Sequence, residues 1–440
     1  MQVSVSATGA LERRLEVAVP ATEIAAEVEQ RLKQISRTAR LKGFRPGKAP
    51  FAVVRKQFGE QVNAEVISDV MRSSFAQALT QEKLQPAAGP RIEPIAMPPG
   101  SDLKYAAVFE VLPQIRIQSP DSLAIERPAS QVTDADLDAM IESMRRQRPV
   151  FTQVERPAQE TDRVTLDFDG KIDGESFEGS EGRDVAVVIG SRQALVELEE
   201  GIKGASAGET RSIPLAFPAE HPNKKIAGRT AELHVTIKRV EEQSLPQVDE
   251  EFCRAFGVAE GGVEALRAEV RQSMERELTG VIRTRLRTQV MDGLYANNPF
   301  DVPRALIDEQ VQQLQVDMAR RIGARDVSQL PPREQFEEPA RRRVALGLLM
   351  SQIVQTEGLK TDRERVQGRL ADLVASYPNP DEVRKAYLQN PDAMKQVESA
   401  VLEEQVVDWV LERARITDKP VSFKDLTGFG QTAAGAGVQS

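Results

Sequence analysis

Thiol and imidazole groups, the side chains most used for nucleophilic catalysis and zinc ligation, are nearly absent from this chain. Its 440 residues hold one cysteine, Cys253, and two histidines, His221 and His234. A nucleophile needs a base beside it, and a zinc cluster needs about four Cys, His or carboxylate ligands at motif spacing. Cys253 sits with Phe252 and Phe256 on a predicted helix, a setting for a small core residue, and a lone cysteine excludes an intramolecular disulfide. The spacing that stands out is Gly43-Phe44-Arg45-Pro46-Gly47-Lys48-Ala49-Pro50. Glycines permit positive φ and prolines fix φ near about −65°, so the segment breaks any helix and holds one aromatic and two cations on a stiff loop. That is docking chemistry.

The charge around the loop supports this reading. From Arg31 to Lys56 the chain carries Arg31, Lys33, Arg37, Arg40, Lys42, Arg45, Lys48, Arg55 and Lys56, with no Asp or Glu, although its formal net charge is −9. A cationic patch in an acidic protein suits a localised polyanionic partner, either phosphate-rich RNA or an acidic protein surface. The plainer reading is a solvated helix face. Phe44 argues against it, because an aromatic at a Gly/Pro loop tip is poorly placed to reach its own core and well placed to anchor a partner.

The elements that must position this loop follow from periodicity. Gln2 to Ala7, Leu11 to Val19 and Leu103 to Val111 alternate as strands. Thr22 opens a helix through Ile24, Val28, Leu32, Ile35 and Ala39. Beyond the loop, Pro50 precedes a short stripe of Phe51, Val54 and Phe58 that ends at Gly59, and a further helix runs from Val62 to Lys83. Pro86 to Pro99 returns the chain to the last strand. This makes a first α+β domain, residues 1–112.

Residues 113–149 form a connector. Its amphipathic helix starts near Thr133, and the stripe of Leu137, Met140, Ile141 and Met144 needs another part of the chain, the C-terminal region, to pack on. Residues 150–243 are β-rich, with strands at Val164 to Phe168, Val185 to Ile189 and Ala231 to Ile237. Asp173-Gly174 is a hairpin turn there, and one short helix spans Ala194 to Glu200. Residues 244–427 read as all helical, with a repeat from Val263 to Leu294 too long for an ordinary globular helix and Trp409 in a core stripe. Residues 428–440, rich in Gly, Ala and Gln, read as a disordered tail. The fold class is multidomain α+β. A composition 40% hydrophobic and 28% charged is that of a globular protein without a bilayer-spanning run. The N-terminus has no basic-then-apolar leader, which places the protein in the cytoplasm.

Gly43-Phe44-Arg45-x-Gly47-x-x-Pro50 in the first of three such domains resembles trigger factor, a family of bacterial ribosome-associated chaperones. Phe177-Glu178-Gly179, Glu199 to Gly204, Phe252 to Val258, Leu266 to Arg271 and Asp301-Val302-Pro303 are further landmarks, and the resemblance covers residues 1 to 426. It implies a first domain that docks beside the ribosomal tunnel exit through Gly43, Phe44, Arg45, Pro46, Gly47, Lys48 and Pro50. Its partners there are a tunnel-exit protein and nearby ribosomal RNA. The connector and C-terminal helices then form a cradle for nascent and unfolded polypeptides, with a homodimer off the ribosome as a state the resemblance admits. No membrane, metal or cofactor is implied.

The middle domain, on the same resemblance, is an FKBP-type peptidyl-prolyl isomerase fold. Such an enzyme needs no nucleophile: an apolar pocket that disfavours the planar, charge-separated amide lowers a barrier of about 18–20 kcal/mol. The resemblance places Phe168, Phe177, Glu178, Leu195, Leu198, His221 and Leu233 at pocket positions. Where the family pattern has Ile-Pro-Gly-aromatic, this chain has Leu195-Val196-Glu197-Leu198. Leu233 also stands where an aromatic is expected, the aromatic expected near Val185 is missing, and His221 stands where a tyrosine is expected. A retained fold with weak or absent activity is the expectation. The competing readings are a dedicated prolyl isomerase, an RNA-binding protein and a periplasmic chaperone; the missing leader disfavours the last.

Overall fold

The computed structural model describes residues 1–38, 41, 44, 49–94, 101–172, 175, 177, 180–217, 226–324, 326, 329–375 and 377–430. The N-terminal alternation becomes an antiparallel sheet of β1 (Gln2–Ala7), β2 (Glu12–Val19), β3 (Arg91–Pro94) and β4 (Leu103–Glu110), in the order β1-β2-β4-β3. Leu15 and Val17 of β2 lie opposite Ala107 and Tyr105 of β4, and all four are buried on one face. Helices α1 (Ala21–Thr38) and α2 (Phe51–Gln81) supply Ile24, Leu32, Val54, Val62 and Val66 to the same core. The buried Tyr105 hydroxyl is satisfied by Ser74 Oγ at 2.8 Å and the Met71 carbonyl at 3.1 Å.

Two readings are corrected here. Gly59 does not end a helix, because α2 runs through it for 31 residues. A helical glycine costs about 1 kcal/mol against alanine, and burial of Val54 and Val62 on either side outweighs that. The Pro-rich return contains β3, paired with β4 from Arg91 opposite Val108 to Pro94 opposite Tyr105. Its edge position tolerates the proline.

After β5 (Ala124–Ala129), α3 (Asp134–Gln147) begins at a capping box in which Thr133 Oγ1 accepts from Asp136 N and the Asp136 carboxylate accepts from Thr133 N. The middle sheet comprises β6 (Val150–Val154), β7 (Arg163–Lys171), β8 (Glu181–Val188), β9 (Thr210–Ala216) and the long β10 (Thr230–Ser244), ordered β6-β10-β7-β8 with β9 also on β10. Between β8 and β9 lies α4 (Val196–Ile202). Ile172 and Glu175 exchange backbone hydrogen bonds, each 3.0 Å, across the two residues predicted as the hairpin turn, which themselves lie outside the described residues.

The remainder holds α5 (Glu250–Ala255), α6 (Gly262–Asn297), α7 (Arg304–Ile322), α8 (Glu334–Glu357), α9 (Arg363–Val374), α10 (Pro380–Gln389), α11 (Pro391–Leu411), β11 (Arg415–Pro420) and α12 (Phe423–Thr427). The expectation that 244–427 is wholly helical therefore fails at β11, which pairs with β5. All six residues of β11 are exposed, so no alternation marks it. Trp409 borders a core rather than filling it: it is half-buried beside Val406, Ile353 and Leu123, with Arg413 stacked 4.7 Å from its ring centroid. The predicted tail starts too early, because Phe429 packs on Phe423 with ring centroids 6.2 Å apart; residues 431–440 lie outside the described residues.

The chain forms two compact units. One joins Met1–Arg127 to Thr284–Asp418, the other joins Pro128–Arg283 to the chain from Lys419 on. Within the first, Glu110 of β4 reaches the start of α7. Within the second, Leu137 and Ile141 of α3 are buried against Met274 and Leu278 of α6 and Phe423 of α12.

Candidate docking loop and isomerase pocket

The loop is pinned at both ends and displays its aromatic. Leu41, 6% exposed, belongs to the first-domain core, and Ala49 packs against that core. The Phe44 N–H donates to the Leu41 carbonyl at 3.0 Å, a turn that leaves the ring 40% exposed. Pro50, with φ −59°, starts α2 at a position where its missing N–H costs nothing. Gly43, Arg45, Pro46, Gly47 and Lys48 lie outside the described residues. Phe51, read from the sequence as part of an apolar stripe, is itself 36% exposed and adds a second aromatic at the base of the loop.

The surrounding charge is less uniform in space than in sequence. Arg31 pairs with Asp69 of α2 at 2.8 Å, and Lys33 pairs with Glu29 at 2.6 Å. Arg37, Arg55 and Lys56 show no ion pair among the described residues, so these cations are left for a partner. Leu41 was missed by sequence reasoning because it is a single apolar residue among cations.

In the middle domain the fold brings several predicted pocket residues together. Phe168 on β7 pairs with Val235 of β10 and Gly182 of β8. Phe168 and Leu198 pack against one apolar cluster that includes buried Leu166, Leu233 and Val235. Phe177 belongs with Ile172, Ile226, Ala231 and Phe217, meeting the Phe217 ring edge-on at 5.8 Å. Gly170 joins the two groups, since a Cβ there would stand 3.0 Å from Leu233 Cδ1 and 3.4 Å from Phe177 Cε1. Leu195 is not brought into either cluster; at the N-cap of α4 it is 43% exposed, and Val196 beside it is 59% exposed. Glu178 and His221 lie outside the described residues.

Two charged residues missed by sequence reasoning hold α4 in place. Buried Glu199 accepts from the backbone N–H groups of Gly190, Arg192 and Ala194 at 2.8, 3.3 and 3.2 Å, with the Ser191 hydroxyl at 3.4 Å. Burial pushes its carboxyl up, but these donors outweigh it and leave the carboxyl below its ordinary value. At the other end, the Arg211 guanidinium donates to the carbonyls of Gly201, Lys203 and Gly204 at 2.9 to 3.0 Å, satisfying carbonyls that a helix C-terminus leaves bare. Gly201 allows the close approach, because a Cβ there would meet Ile213 at 2.6 Å. Glu199 entered the sequence reading only as the start of a family landmark, since it is one of three glutamates in α4 and nothing local marks it for burial, and Arg211 is an ordinary strand charge.

In chain order the structure has an α+β sheet domain, a β-rich domain with one short helix, and then long helices. Residues 154–238 match the family model described as FKBP-type peptidyl-prolyl cis-trans isomerase. Residues 1–144 match the model for bacterial trigger factor protein, and residues 262–412 the model for its C-terminus. The trigger factor of Pseudomonas fluorescens strain SBW25 is 44% identical over 425 residues, covering 97% of this chain and 98% of that protein. The trigger factor of Pseudomonas putida strain W619 is 42% identical over 436 residues, covering 99% of this chain and 100% of that protein. A solved structure of the trigger factor chaperone, reported for its promiscuous substrate recognition in folding and assembly, aligns with a TM-score of 0.55 at 17% identity over 94% of this chain and 99% of that one. That likeness concerns the fold. The chain belongs to the trigger factor family, and a match along its whole length does not favour the dedicated-isomerase or RNA-binding readings.

Proposed function

We infer that the chain is a ribosome-associated chaperone that works in the cytoplasm, docks at the tunnel exit and holds nascent and unfolded polypeptides. The observation that carries this reading is the loop: Leu41 buried and Phe44 displayed, with Arg37 and Lys56, which have no ion-pair partner among the described residues, close by in the chain. An exposed aromatic is an anchor for a protein partner, while the cations suit the phosphates of ribosomal RNA. Phe44, Arg45 and Pro46 are the proposed contacts to the tunnel-exit protein, with Gly43, Gly47, Lys48 and Pro50 shaping the loop.

Client binding is assigned to the helices. Val316, Ile322, Tyr377 and Leu388 are 44 to 58% exposed, and α8 and α11 enclose a groove of about 760 Å³ whose apolar lining includes Met350, Val354, Leu402 and Val406. Scattered apolar contacts of this kind give weak, sequence-tolerant binding. The isomerase pocket keeps its scaffold but has aliphatic Leu198 and Leu233 as walls, so turnover on prolyl bonds is weak. Among the described residues no helix is long and apolar enough to cross a membrane and no group of His, Cys, Asp and Glu is placed to hold a metal. Off the ribosome the chain self-associates.

A photo-cross-linking amino acid at position 44, on purified ribosomes, tests the docking assignment. A cross-link to a tunnel-exit protein supports it. A cross-link to ribosomal RNA alone would move the function towards RNA binding.

A further inference from the structure

Residues 113–118, between β4 and β5, run extended without a ladder of their own. From Val111 to Gln118 half-buried and exposed residues alternate, the period of a strand. The segment is fastened at two points. The Leu112 N–H donates to the Gln85 carbonyl at 3.0 Å, and the Gln118 N–H donates to Asn298 Oδ1 at 2.8 Å. Between these anchors the backbone of residues 114–117 makes no hydrogen bond among the described residues.

Parity shows which groups are open. Successive residues of an extended chain turn their N–H and C=O groups to opposite edges, and Leu112 and Gln118 are an even number of residues apart, so both anchors lie on one edge. The groups of Ile115 and Ile117 turn to the other edge, which is bare.

The same segment forms one wall of a cavity of about 580 Å³, with Ile353 and Thr356 of α8 and Trp409 of α11 among the other lining residues. Ile117 packs with Leu123, Ile353 and Val406 in the apolar cluster of those helices. The Trp409 indole N–H is buried with no acceptor among the described residues, a state that native structures rarely leave unanswered. In the lining, Arg116 and Arg413 are balanced by Asp121 and Glu357.

An ion of one sign or a hydrocarbon would answer only part of this. An extended polypeptide answers all of it, with alternating N–H and C=O groups for the open edge, apolar side chains for the isoleucines and a carbonyl for the indole. We propose that residues 114–117 are a client subsite, where an extended polypeptide adds a strand to the open edge and seats alternate apolar side chains in the cavity. Strand addition takes its affinity from main-chain hydrogen bonds and its selectivity from pockets for alternate side chains. The proposal rests on the client-binding reading above and adds a place where the backbone of the client is held as well as its apolar surface.

A blocked peptide of alternating valine and serine, with a lysine at each end, tests this on the full-length chain. In the proposed pairing its valines lie opposite Ile115 and Ile117, on the face turned to the helices, and their N–H groups serve the open edge. Methylating the valine nitrogens is expected to weaken binding roughly tenfold relative to methylating the serine nitrogens, which point away. Emission from Trp409, the only tryptophan, should shift on binding. Amide exchange at Ile115 and Ile117 should slow roughly tenfold, while Gln118, already bonded to Asn298, stays unchanged. Equal binding of the two methylated peptides overturns strand pairing. Binding that leaves Trp409 emission and the Ile115 and Ile117 amides unmoved overturns this subsite and leaves client binding elsewhere on the helices standing. A chain that takes up an unfolded protein but not the peptide overturns the subsite alone, and one that takes up neither overturns the client-binding reading with it.

Discussion

The ring of Phe168 lies against the backbone of Gly182: a Cβ on that glycine would stand 2.3 Å from Phe168 Cε1 and 2.8 Å from Cζ. The glycine is required by space, since its φ is not positive. Gly182→Ala forces the ring out of its place in the middle-domain cluster and costs about 1–3 kcal/mol, seen as a lower melting temperature. Gly368→Ala on α9, where nothing lies within 4 Å of the added carbon, is the control and stabilises by about 1 kcal/mol.

Leu198 packs on the same apolar cluster as Phe168 and Leu233. Leu198→Phe returns one aromatic wall. Aromatic contacts add about 0.5–1.5 kcal/mol beyond their area, so kcat/KM in a proline-limited refolding assay should rise up to roughly tenfold. High activity in the unaltered chain, with no gain from Leu198→Phe, would refute the weakened-pocket reading.

Glu199 makes the middle domain sensitive to acid. Its carboxyl lies below the unfolded value of 4.5 in the folded state. A depressed carboxylate gives stability that is present above that value and lost as pH falls through and below it. Thermal melts of the unaltered chain should therefore show the middle domain losing stability below about pH 4.5. Glu199→Gln should lower stability at neutral pH by about 1–3 kcal/mol, because an amide nitrogen cannot accept from the loop N–H groups, and should flatten that acid dependence.

Glu110 and α7 are far apart in sequence, yet Glu110 Oε2 accepts from the Ala305 N–H at 2.8 Å. The residue preceding α7, Pro303, offers no side-chain cap, so Glu110 serves as one from β4 and favours the positive end of the helix. Glu110→Ala should speed amide exchange at Ala305 roughly tenfold, for a loss of about 1–2 kcal/mol, while exchange in the middle of β4 stays unchanged.

The parts of the fold legible in the sequence are those with one buried face and a clear period, such as β2, β4, α1 and α6. Reading failed where tertiary contacts overrode a local signal. Gly59 looks like a stop, but Val54 and Val62 bury on either side of it. β3 hides in a proline-rich stretch and β11 has no buried face. At the site, Phe44 was legible from its loop, whereas the acids that pair Arg31 and Lys33 are Asp69, distant in sequence, and Glu29, just before the cationic run. Glu199 resembles its exposed neighbours in α4, and its burial is a property of the fold around it.

The central claim is that the 43–50 loop is the ribosome address of this chaperone. Co-sedimentation with purified ribosomes, comparing the unaltered chain with Phe44→Ala, Arg45→Ala and Pro46→Ala combined, tests it most directly. The expected result is loss of the chain from the ribosome pellet, with folding and client binding by the free protein retained. Undiminished co-sedimentation of the triple variant would contradict the account.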